Sequence, residues 1–185
     1  MAEPKEKRRA SKSETLTIRL DPKTRFMLEF MARLRGQTIT TVVERAILEE
    51  ANRATITRFN GPDDDWRDFW SVREGERALK IAAESALYPS YEEEKRLSFA
   101  REHWPFFYST DQKLSFIKHY IEVLWPRIDE FIEIFDTQKA ENYFAAGEAM
   151  KKALSEARLK PPEWPPKGRS PVAQKDQEID DEIPF

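Results

Sequence analysis

The chain has 185 residues, with 31 Lys or Arg against 34 Asp or Glu and a net charge of −3. It has no cysteine, which excludes disulfides and thiolate metal sites. Its two histidines, His103 and His119, read as ordinary helix-surface residues, too few for a histidine-rich zinc centre. No apolar run approaches the roughly 18 residues of a membrane span, and no apolar stretch follows the basic start to make a signal peptide. A cytoplasmic protein with no cofactor, metal or membrane partner is therefore expected.

Residues 1–13 carry Lys5, Lys7, Arg8, Arg9 and Lys12 against Glu3 and Glu6, and are read as a disordered basic arm. "TLTIRLDP" follows. Leu16, Ile18 and Leu20 alternate with Thr15, Thr17 and Arg19, the period of a half-buried strand. Asp21 and Pro22 suit the N-cap and first position of a helix, "PKTRFMLEFMARLRG", which Gly36 is placed to end. Thr38 is the expected cap of a second helix, "ITTVVERAILEEANR", with Val42, Val43, Ala46 and Ile47 as one apolar stripe. About 40 residues with a single strand cannot bury a sufficient core alone. Two copies could, by pairing their strands antiparallel and interlocking their helices.

At this point "TLTIRLDPKTRFMLEFMARLRGQTITTVVERAILEE" resembles a ribbon-helix-helix domain, the family of Arc- and MetJ-type repressors and of many antitoxins. The match covers residues 14–53. It implies a homodimer whose paired strands enter the DNA major groove, with Thr15, Thr17 and Arg19 reading base edges. It also implies a phosphate held at the start of the second helix by Thr38, Ile39, Thr40 and Thr41. Lys5, Arg8 and Arg9 would add phosphate contacts from the arm. The implied dimer core is Leu16, Ile18, Leu20, Leu28, Met31, Val42, Val43, Ala46 and Ile47. One feature departs from the family: Phe26, Phe30 and Leu34 give the first helix a second apolar face, expected to dock on the downstream domain or on a partner.

Residues 54–62 read as a linker and 63–159 as an aromatic-rich domain of four to five helices. One helix is expected over "DDWRDFWSVREGERALKIAAESAL", with Trp66, Phe69 and Trp70 on one face. Another is expected over "SYEEEKRLSFAREHW", opened by a Ser90–Glu93 capping box. "STDQKLSFIKHYIEVLW" repeats that signal with Ser109 and Gln112 and is interrupted at Pro126. "RIDEFIEIF" and "TQKAENYFAAGEAMKKALSEARL" complete the set. No nucleophile stands beside a histidine in a known spacing and no Gly-rich phosphate loop occurs, so no catalytic residue is assigned and no enzyme is expected. Oligomerisation or protein binding is the expected role of this domain.

Residues 160–185 have no helical or strand period and read as a disordered acidic tail, stiffened by proline in its first half. The tip, "DQEIDDEIPF", is an acidic run that ends in Ile183, Pro184 and Phe185, and it is similar to the C-terminal docking peptide of bacterial single-stranded-DNA-binding protein. That resemblance implies that Asp180, Asp181 and Glu182 meet a basic rim, while Ile183, Pro184 and Phe185 enter an apolar pocket on host replication or repair enzymes. Glu182 replaces the usual aspartate, and nothing upstream resembles an OB-fold. The whole chain therefore reads as mostly α: a dimeric ribbon-helix-helix module (one strand, two helices), a helical domain and an acidic tail. A nucleoid-associated repressor or mobile-element accessory factor is expected, bound to double-stranded DNA. An antitoxin with its toxin, and a relaxosome or plasmid-maintenance accessory, are the alternatives.

Overall fold

In a computed structural model of the chain, residues 15–110, 112 and 115–166 are described. They are mostly helical, and the chain divides between Ala54 and Thr55 into two units.

The first unit is a helical hairpin, α1 (Pro22–Arg35) packed on α2 (Ile39–Ala51). Local chemistry sets each end. Asp21 accepts the Lys23 and Thr24 amides at 2.9 and 3.1 Å, satisfying donors that the first turn leaves without carbonyls. The Thr24 hydroxyl and amide hold the Asp21 carboxyl below its ordinary pKa. Gly36 ends α1 at φ +61, a left-handed position where a side chain would be strained, and Gln37 then donates back to the Ala32 carbonyl at 2.9 Å. Residues 15–20, expected as a strand, form none: among the described residues this unit has no β-pairing. The physical reason is the lack of a partner backbone. A strand satisfies its amides and carbonyls on a neighbouring backbone, and one copy of this segment offers none.

The second unit begins where a linker was expected. Ile56 and Asp64 form an antiparallel bridge, and Arg58 bonds both Asp64 and Glu84, so much of residues 54–62 is stitched down. The single helix expected over residues 64–87 is three pieces: α3 (Trp66–Phe69), α4 (Glu74–Ala82) and a 3-10 turn at Ser85–Leu87. Ser71 causes the first break. Its hydroxyl accepts the Arg73 amide and donates to the buried Glu76 carboxylate, competing with helix continuation. Gly75 lets α4 seat tightly, since a Cβ there would lie 2.6 Å from both Ile121 and Trp125.

Next comes α5 (Tyr91–Glu102), which opens on the expected capping box, Ser90 with Glu93. The box expected at Ser109 and Gln112 does not form. Instead Tyr108 and Phe116 make an antiparallel bridge with rings 5.2 Å apart, and Ser109 donates to the Ser115 carbonyl. Only then does α6 (Lys118–Leu124) start. Pro126 falls in the 3-10 turn Trp125–Arg127 that leads into α7 (Ile128–Gln138). The last helix begins later than expected, as α8 (Ala145–Glu156), because the Asn142 side chain accepts the Phe144 amide and shapes a turn. Phe106, Phe107 and Phe131 are fully buried among Leu79, Ile121, Leu124, Met150 and Leu154.

Two further expectations are corrected here. His103 is fully buried rather than on a helix surface, while His119 is exposed. The His103 ring stacks between Phe99 at 4.2 Å and Trp164 at 5.3 Å, with Nδ1 3.1 Å from the Phe99 carbonyl. Residues 160–166, expected in the disordered tail, pack on this unit. Trp164 is buried, donates to the Phe144 carbonyl at 3.2 Å and fills the space above Gly147, where a Cβ would come within 2.1 Å of its ring. The Tyr120 hydroxyl donates to the Lys160 carbonyl and holds the approach. One indole in a prepared socket outweighs the polar, proline-rich sequence around it.

Candidate nucleic-acid interface

The candidate interface lies in the first unit. Thr15, Thr17 and Arg19 are all exposed, and so are Leu16, Ile18 and Leu20, on a segment outside regular secondary structure that leads into the Asp21 cap. Thus the expected base readers are presented to solvent, and the expected core residues beside them are uncovered as well.

At the other end of the hairpin, Thr38 caps α2. Its hydroxyl oxygen accepts the Thr41 amide at 3.1 Å and lies 3.0 Å from the Thr41 hydroxyl. The Ile39 and Thr40 amides stand in the first helical turn, which provides no carbonyl for them. Thr38, Ile39, Thr40 and Thr41 are all exposed. Two outward amides and the positive end of the helix dipole suit an anion such as a backbone phosphate. Arg19, Lys23, Arg33, Arg35 and Arg45 are exposed on the same unit. Arg25 is instead tied to Glu29 at 3.0 Å.

Of the remaining expected core residues, Val42 is buried, Leu28 and Val43 are half-buried, and Met31, Ala46 and Ile47 are exposed. Met27 and Leu48 belong with these uncovered apolar side chains although sequence reasoning passed over both. They neighbour the recognised stripes and could have been found by widening each stripe by one position. Lys5, Arg8 and Arg9, and Asp180, Asp181, Glu182, Ile183, Pro184 and Phe185 of the tip, lie outside the described residues.

The second unit presents a different surface. Trp66 and Trp70 are exposed, with the Arg67 and Arg77 guanidinium groups 4.8 and 4.9 Å from their ring centres. Tyr88 and Tyr91 are exposed too, Tyr88 beside an open cleft of about 540 Å³ that Leu97 and Arg101 also line. Four aspartates, Asp63, Asp64, Asp65 and Asp68, surround the Trp66 segment, which disfavours a phosphate backbone there. Trp, Tyr and Arg together are the side chains most often found at protein-binding hot spots. Among the described residues, no helix is long and apolar enough to cross a membrane.

No family model matches this chain, and neither a curated protein nor a solved structure does.

Proposed function

We propose that residues 14–53 join those of a second copy as a ribbon-helix-helix DNA-binding module, and that the protein is a homodimeric, site-specific repressor or mobile-element accessory factor. The observation that carries this reading is the uncovered apolar set of the first unit. Leu16, Ile18 and Leu20 alternate along a segment with no strand partner, and only Ala32 and Val42 among the unit's described apolar side chains are buried. A second copy of the same segment supplies the missing backbone partners and covers those side chains. Pairing would place Thr15, Thr17 and Arg19 together on the outer side of the ribbon. There Arg19 can grip a guanine through two hydrogen bonds, and the threonines can meet thymine methyls.

The test is footprinting on DNA upstream of the gene, with Arg19→Ala alongside. The wild type should protect a discrete site. Arg19→Ala should stay dimeric by sedimentation and lose about 1–3 kcal/mol of discrimination between that site and random DNA. Retained discrimination in the variant would remove the segment from the reading role.

The tip resemblance adds a second proposed partner, a replication or repair enzyme that binds the single-strand protein's tail. Deleting Phe185 should abolish that binding with operator affinity unchanged. If full-length protein never binds such an enzyme, the tip has another purpose. The exposed Trp66, Trp70, Tyr88 and Tyr91 favour one alternative, an antitoxin whose second unit holds a toxin.

A further inference from the structure

We propose that the second unit binds a small organic carboxylate, held by Arg101 and the Tyr108 hydroxyl with its apolar body along Leu97. The site lies wholly within residues 55–166 and does not depend on the DNA reading above. Its walls come from two places where the helical pattern breaks and from the helix between them. The break after α4 leaves Ala83 on one wall, and the Tyr108–Phe116 bridge sets two aromatic rings into another. Between them α5 contributes Leu97 and Arg101, which stand four residues apart and so share one face of the helix.

The open cleft beside Tyr88 adjoins an inner one of about 300 Å³, and Ala83, Leu97 and Arg101 line both. Volumes of roughly 300–1,000 Å³ are those of small-molecule sites. Phe69, Leu79, Leu97 and Phe116 give the inner cleft its apolar surface. Its cations are unevenly committed. Arg58 is held by Asp64 and Glu84, while Lys80 meets Glu76 at 3.6 Å and donates to the Asp68 carbonyl at 3.0 Å. Arg101 has no acid partner among the described residues. Tyr108 is 4 % exposed, yet its hydroxyl bonds to no described residue, whereas buried tyrosine hydroxyls usually find a partner. Burial pushes the Tyr108 phenol pKa up, against the opposing Arg101 charge, so the group stays an O–H donor at neutral pH.

A guanidinium and one hydroxyl donor match a carboxylate, which takes two parallel bonds from arginine and keeps lone pairs for an O–H. The neighbouring charges select a single negative charge. Asp64, Asp68 and Glu84 line the inner cleft against Arg58, Lys80 and Arg101, so a monoanion meets one uncommitted cation and a dianion such as a phosphate monoester meets too little. An amine is the poorer occupant because the acids already hold donors: Arg58 serves Asp64 and Glu84, and the Asp65 amide donates to Asp68 at 2.8 Å. Glu94 lines the outer cleft about 10 Å along α5 from Arg101, where solvent and salt screen it.

An NMR titration of the full chain, labelled at alanine and leucine methyls, tests this with phenylacetate as the probe and phenethylamine as its matched cation. Phenylacetate should shift the Ala83 and Leu97 methyl signals saturably, with a Kd on the order of 1 mM for so small a molecule. Arg101→Gln and Tyr108→Phe should each weaken binding about tenfold, the loss of a hydrogen bond to a charged group. Unchanged signals from the fully buried Leu154 show that each variant is folded. Equal binding of phenethylamine, or wild-type affinity in either variant, would reduce the site to a cleft that takes any ring and overturns the proposal. So does a wild type whose two methyl signals stay in place at about ten times that concentration.

Discussion

The two units solve the same problem with opposite means. In residues 55–166 tertiary packing carries the structure: Phe106, Phe107 and Phe131 are fully buried, and α4, α6, α7 and α8 all begin without a side-chain cap hydrogen bond. In the first unit local chemistry is complete, with Asp21 and Thr38 as caps and Gly36 as terminator, yet only Ala32 and Val42 are buried among its described apolar side chains. Short helices without caps are tolerated where a core holds them. Well-capped helices with no core are stable only when something else covers their faces. The comparison teaches that the second unit carries a core of its own, whereas the first leaves most of its described apolar side chains uncovered.

The largest expected effect separates them most sharply. Phe131 is fully buried, with the Arg127 guanidinium 5.2 Å from its ring centre. Phe131→Ala should cost about 3–5 kcal/mol, because it removes transfer energy and leaves a cavity. In calorimetry the second unit's transition should fall, by the same amount at every protein concentration. On the proposed dimer, the first unit's transition should be untouched by Phe131→Ala and should climb with concentration. If dilution leaves both transitions in place, the first unit does not depend on a second copy and the contrast between the units fails.

The same contrast explains what was legible in the sequence. Around α1 and α2 the caps are carried by single residues at fixed offsets, so Asp21, Gly36 and Thr38 announced both helices. The alternation at 15–20 was equally plain, yet those residues form no strand, because a strand needs a neighbouring backbone for its hydrogen bonds and alternation alone does not supply one. In the second unit the helical character was readable and several boundaries were not. The breaks at Ser71 and at Tyr108–Phe116 depend on a buried carboxylate and on a pair of aromatic rings, neither of which periodicity encodes. Ser90 and Glu93 were the exception, a local signal inside a tertiary fold. Trp164 was hidden for a related reason. Its socket is made by Gly147, Phe144 and His103, which lie 17 to 61 positions away in the chain.

A smaller effect sharpens the comparison through acid. Two ion pairs tie α5 to α7: Arg96 grips Asp129 through two bonds of 2.8 and 2.7 Å, and Lys95 meets Asp136 at 2.9 Å. The Arg96 hydrogen bonds hold the Asp129 carboxyl below its ordinary 3.8, and Lys95 does the same for Asp136. A carboxyl depressed in the folded state favours folding while it is ionised. Its contribution is therefore complete above the unfolded value and is lost as pH falls below 3.8 through the depressed one. Both aspartates are largely exposed, so the Asp129 pair is worth under about 1 kcal/mol and less in high salt. Asp129→Asn should accordingly lower the second unit's melting temperature slightly at neutral pH, and the difference from wild type should shrink as pH falls below 3.8. A difference that persists in strong acid would mean that Asp129 acts through packing rather than charge. The first unit has its own depressed carboxyl, Asp21, whose partners are Thr24 and Lys23 within one turn of α1 rather than a second helix. Acid should therefore weaken that helix start while loosening the α5–α7 contact, and Asp129→Asn should change only the second.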